Sequence, residues 1–225
     1  VEWFIISSNA VRRREAVVTI HEPMTLLTDW LLAGVVLAFS VRLAGRSRDW
    51  SVRLWATAFF ASALAAIAGG AWHGFRPYLA FPADPLLWKL ALNAIGLASF
   101  CLLAAAVFAT LAGLPRNIAL SVAAGKFLIY AGWMVTHDAF RFVIYDYGSA
   151  MLTVLLLQIP GLLRRRPAAG WIAGGILVSF VAAGVQATRL APHPFFNHND
   201  LYHIIQIGAF YLLYRGGRLL ADRAP

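Results

Sequence analysis

Polar residues are sparse over most of this chain, and where they gather they divide it into seven apolar segments at about 24–43, 53–72, 85–112, 117–137, 142–163, 169–189 and 201–217. Each lies near the ~20 residues that a helix needs to cross roughly 30 Å of hydrocarbon. The breaks carry turn signals: Gly45 among charged neighbours, Pro77 and Pro82, Pro115, the run from Arg164 to Pro167, and Pro192 with Pro194. The pattern predicts an all-α integral membrane protein, a seven-transmembrane-helix bundle over residues 24–217 with no separate soluble domain. Residues 1–23 form an N-terminal tail, whose stretch from Val1 to Val11 is apolar enough to lie on a membrane but too short to cross it. Residues 218–225 form a C-terminal tail.

Composition agrees with that pattern. Of 225 residues, 60 % are hydrophobic and 13 % charged, which leaves too little polar surface for a water-soluble fold of this size. The formal charge of +9 would by itself suggest nucleic acid, but the placement of the charges at segment ends argues against such a partner. The single cysteine, Cys101, lies inside an apolar segment and excludes an intrachain disulfide.

Charge also orients the bundle. Eleven basic residues, Arg42, Arg46, Arg48, Arg53, Arg116, Arg164, Arg165, Arg166, Arg215, Arg218 and Arg223, fall at one set of segment ends. Seven fall at the other set, including Arg12, Arg13 and Arg14. The positive-inside bias predicts an outside N-terminus and a cytoplasmic C-terminus, as seven spans require. The expected location is a bacterial inner or cytoplasmic membrane.

Chemistry is expected at the outer ends, where eight of ten acids and all six histidines lie. Glu22, Thr25 and Asp29 share a helical face, and a carboxylate as deep as Asp29 needs a partner. The second segment ends in Gly69-Gly70-Ala71-Trp72-His73, where the glycines permit close helix approach and His73 can face the axis. The stretch from His193 to Gln206 is the densest in polar groups, and His203 shares faces with Asn199, Asp200 and Gln206. Asn199 or Asp200 could instead cap the last helix. Lys126, Tyr130 and His137 make a further stripe, with His137-Asp138 offering a base and its orienter, and Asp146 is another buried acid.

These features resemble the seven-helix membrane hydrolase superfamily of alkaline ceramidases and adiponectin-receptor-like proteins. The common elements are an acid in or before span one, His73 ending span two, and Asn199 with His203 opening span seven. The resemblance implies zinc held by His73 and His203; His198, Asp29 or Asp200 would complete the set in an arrangement that departs from the family's. It also implies zinc-activated water that cleaves a lipid amide or ester, and Asp29, Asp200 and His137 are the candidate proton-transfer groups in this chain. Asn199 stands where the family's histidine pair begins, and Gly69 stands in place of its span-two serine. Two alternatives accompany this expectation. One is a noncatalytic membrane-complex subunit or lipid-binding scaffold, supported by small residues such as Gly174-Gly175. The other is a b-type haem protein with axial ligands such as His73 and His203.

Overall fold

A computed structural model describes residues 19–224 of the chain. The expectations for residues 1–18, including the interfacial tail and the Arg12 to Arg14 run, lie outside the described residues. Among the described residues the fold is all-helical. The long helices are α1 (Pro23–Ala44), α2 (Trp50–Phe75), α3 (Ala83–Thr110), α4 (Gly113–Thr136), α5 (Phe140–Leu163), α6 (Pro167–Thr188) and α7 (His198–Gly217). A single 3-10 turn, Arg76–Tyr78, follows α2.

Local sequence sets these ends. Pro23 and Pro167 occupy the first turns of α1 and α6, where a missing N–H costs nothing. α7 starts on a capping box: the Asn197 side chain accepts from the Asn199 and Asp200 amides, and the Asp200 carboxylate accepts from the Asn197 amide. α1 to α6 are each long and apolar enough to cross a membrane. α7 falls short of that measure because its 20 residues include His198, Asn199, Asp200, His203, Gln206 and Arg215.

Six helices close a ring in the order α1, α2, α3, α5, α6, α7 and back to α1. α4 stands outside and packs mainly on α3. The burial of their apolar stretches follows: 72 % for α3 against 17 % for α4. Small residues permit the close approaches. A Cβ on Gly70 would come within 2.8 Å of the Asp29 Cβ and Trp30 ring, so glycine lets α2 sit against α1. Gly175 plays the same part against Leu213 of α7. The bundle's outside is apolar, with Leu27, Phe60, Val122, Ile129, Leu156 and Val181 all exposed. So many large apolar side chains on the outside suit a surface that faces hydrocarbon.

The two ends of the bundle differ in chemistry. One gathers the start of α1, the end of α2 and the start of α7, and there the His21 amide donates to the Gly74 carbonyl. The other gathers the arginines of the α1–α2 and α5–α6 connections and the C-terminal tail. That tail is docked rather than loose. Both Asp222 carboxylate oxygens accept from the Trp50 and Ser51 amides at 2.8 Å, capping α2 from a distant part of the chain. Arg223 donates to the Phe108 and Thr110 carbonyls at the end of α3.

Candidate functional site

The ring encloses a partly open cavity of about 420 Å³, lined by α1, α2, α3, α5, α6 and α7 and by no residue of α4. Most of its wall is apolar, with Leu32, Leu92, Ile95, Met151 and Phe210 among the lining side chains. Asp29, His73, Asn199 and His203 line it too. Residues far apart in sequence therefore meet in one concavity, the setting in which an ionisable side chain can act on a bound molecule.

The centre of this polar group is a buried pair. Asp29 Oδ1 lies 3.1 Å from His203 Nε2, with both side chains about nine-tenths buried. The other ring nitrogen, Nδ1, lies 3.0 Å from Thr28 Oγ1, whose hydroxyl is also 3.2 Å from the Thr25 carbonyl. A hydroxyl has one proton to give. With that proton on the Thr25 carbonyl, Thr28 accepts from His203 Nδ1–H, and Nε2 then shares one further proton with Asp29. The pair is neutral as a unit whichever partner holds the proton, which suits a buried, low-dielectric position. Gly69 leaves room beside the second oxygen: a Cβ there would sit 3.6 Å from Asp29 Oδ2.

A second pair flanks the first. His73 Nδ1 lies 3.0 Å from Glu22 Oε2, joining the end of α2 to the residue before α1. A brace runs along the α1–α7 seam, where Thr25 Oγ1 donates to Asp200 Oδ1 at 2.9 Å and accepts from Asn197 Nδ2 at 3.3 Å. Glu22, just before α1, and Thr25 and Asp29 within it thus each engage a different partner.

Residues 24–222 match the DUF6962 family, described as a family of unknown function. The chain belongs to that family. No curated protein and no solved structure matches it. The matched stretch of this DUF6962 chain takes in every residue lining the cavity, from Asp29 to Phe210.

Three residues expected at the site occupy other settings. Asp200 is fully buried and does not line the cavity; its oxygens accept from the Asn197 amide and the Thr25 hydroxyl, joining α7 to α1. His198 begins α7 and is absent from the cavity wall. His137 ends α4, outside the ring, with its ring stacked on Trp133 at 3.9 Å and Nδ1 3.0 Å from both Thr136 Oγ1 and the Trp133 carbonyl. Lys126 forms an ion pair with Asp146 and donates to the Asp146 carbonyl at 2.8 Å, away from the cavity wall.

The donor set bears directly on zinc. Bonds of about 2.0–2.1 Å in a tetrahedral site put neighbouring ligand atoms roughly 3.3 Å apart. Asp29 Oδ1 and His203 Nε2 have nearly that spacing at 3.1 Å. Among the described residues, no group of three His, Cys, Asp or Glu side chains is arranged to hold a metal. Two preplaced donors fall short of the three protein ligands usual in catalytic zinc sites. Haem ligation by His203 would displace Asp29 or Thr28, since both ring nitrogens already have protein partners.

Proposed function

We propose that this chain is a membrane-embedded hydrolase that cleaves an ester or amide of a lipid-like substrate, with Asp29 and His203 as its acid–base pair. The observation that carries this reading is the placement of that buried pair on the wall of a largely apolar cavity. Six apolar helices and an apolar exterior support a membrane setting. α7 completes the bundle as a seventh span that turns its polar residues inward. The arginine-rich end faces the cytoplasm by the positive-inside bias, which puts the cavity site toward the outer surface.

In this reading the acyl chain lies along the apolar wall and the carbonyl stops at Asp29. Water attacks the carbonyl carbon as Asp29 accepts its proton, giving a tetrahedral intermediate. The bond from carbon to the leaving oxygen or nitrogen then breaks, and that atom takes a proton from the Asp29–His203 pair. The products are a fatty acid and an alcohol or amine, and the pair ends with the proton count it began with. Thr28 fixes the imidazole, while His73, held by Glu22, is close enough to the cavity to meet the substrate's polar end.

Purified protein in lipid nanodiscs, supplied with acyl esters and amides, should release fatty acid measurable by mass spectrometry. Asp29→Asn should lower that rate by at least about 100-fold, the usual scale for a lost acid–base group. Release that is absent from the wild type, or equal in the variant, rejects the proposal. About one zinc per chain, lost in a His73→Ala/His203→Ala double variant, would replace the metal-free route with the zinc-centred one.

A further inference from the structure

α2 and α4 both pack on α3, and between them the bundle carries a second concavity, an open groove of about 460 Å³. It shares no lining residue with the central cavity. Leu54 of α2, Phe100 and Ala104 of α3, and Leu120 of α4 make its walls apolar, and Trp50 and Phe108 stand at one end. Trp50 is the first residue of α2 and Phe108 lies two residues before the end of α3, so that end opens where the bundle is basic. From Phe100 to Phe108 the trough runs about 12 Å along α3.

Two arginines stand at the mouth. The Arg53 guanidinium lies 5.7 Å from the centre of the Trp50 ring, and that of Arg116 lies 5.5 Å from the centre of the Phe108 ring. The two rings are themselves stacked, with centroids 6.3 Å apart, so the aromatic mouth holds both cations beside it. Among the described residues neither guanidinium is paired with a carboxylate. The nearby acids are engaged elsewhere: Asp49 accepts from the Ser47 hydroxyl, and Asp222 accepts from the α2 amides. Each arginine is also the fourth residue of its helix, where the free amides favour an anion over a cation. Helix stability therefore does not account for a basic residue at either place.

We propose that this groove binds an anionic phospholipid, with one acyl chain along Phe100, Ala104 and Leu120 and the phosphate between Arg53 and Arg116. A hydrocarbon chain alone leaves the arginines unanswered, and a free phosphate leaves the apolar trough exposed. A molecule that carries both groups satisfies both. Basic sites between membrane spans select acidic headgroups in this way, and Trp50 suits the headgroup level, where aromatic rings gather. A zwitterionic lipid brings its own ammonium to the arginines and loses much of the attraction. The inference needs the membrane setting, and neither the hydrolase reading nor the sidedness of the bundle.

Native mass spectrometry of the full chain in detergent measures binding of the first lipid, either palmitoyl-oleoyl phosphatidylglycerol or the matched phosphatidylcholine. The wild type should favour phosphatidylglycerol by about tenfold, the scale of two arginines acting on one headgroup near a membrane surface. Arg53→Gln/Arg116→Gln should bring that preference below about threefold. Arg164→Gln/Arg165→Gln removes two charges from another connection at the same end and should leave it unchanged. Ala124→Phe places a ring in the trough and should weaken phosphatidylglycerol binding at least about threefold. Excess glycerol phosphate should not displace the lipid. A wild type without preference, an undiminished preference in the Arg53→Gln/Arg116→Gln protein, or equal losses in the two arginine variants overturns the proposal. So does an Ala124→Phe protein that binds as the wild type does, and so does displacement by glycerol phosphate, which would mark a site for soluble anions.

Discussion

Asp29 is held by contacts on three helices' worth of sequence, and each contact limits what the carboxyl can do. His203 faces it at 3.1 Å, and Gly69 leaves its second oxygen uncrowded. Thr28 acts one step away by fixing the imidazole through Nδ1. Thr28→Val should therefore lower kcat about tenfold with KM little changed, and Thr28→Ser should restore it; a loss that serine does not rescue assigns Thr28 to packing instead. Asp29, His73 and His203 were legible in the sequence because ionisable groups inside apolar runs need partners, and a bundle interior is where partners lie. Asp200, His198 and His137 carried the same signal. Capping engages Asp200 and stacking engages His137, settings that spacing alone does not foretell. The Glu22–His73 pair was not anticipated, since no local motif joins residues on separate helices.

The helices themselves were legible to within a few residues, because hydrocarbon thickness fixes their length and proline, glycine and arginine mark their ends. Their arrangement was not. No periodicity announces that α4 stands outside the ring while α3 and α5 meet directly. Lys126 explains how the outlying helix is held: it joins Asp146 of α5, while Tyr130 OH donates to the Leu92 carbonyl of α3 at 2.9 Å. Gly96 gives the Tyr130 ring room, since any Cβ there would collide with it. Lys126→Met alone leaves the Asp146 carboxylate, on a side chain 7 % exposed, without its cation and should cost about 3 kcal/mol. Adding Asp146→Leu should recover most of that loss in thermal unfolding. A single variant as stable as the wild type would show that the pair does not anchor α4.

At the scale of the whole molecule, the chain separates the end that gathers the Asp29–His203 and Glu22–His73 pairs from a basic one. The C-terminal tail ties α2 to α3 at the basic end. Asp222→Ala removes an N-cap and should cost about 1 kcal/mol, seen as a fall in melting temperature of roughly 2–4 °C. An unchanged melting temperature would mean that the tail contributes no net stability. Orientation has its own test. In intact bacterial spheroplasts an impermeant maleimide should label His193→Cys and spare Arg165→Cys, with native Cys101 buried and silent. Labelling of the second alone reverses the assigned sidedness.

The chemistry at the centre of the account is tested most directly by following oxygen from water into product. Nanodisc-embedded protein given an acyl ester in oxygen-18 water should release fatty acid carrying one heavy oxygen, with Asp29→Asn at background. Unlabelled acid, or equal release by the variant, would contradict an Asp29-assisted attack by water.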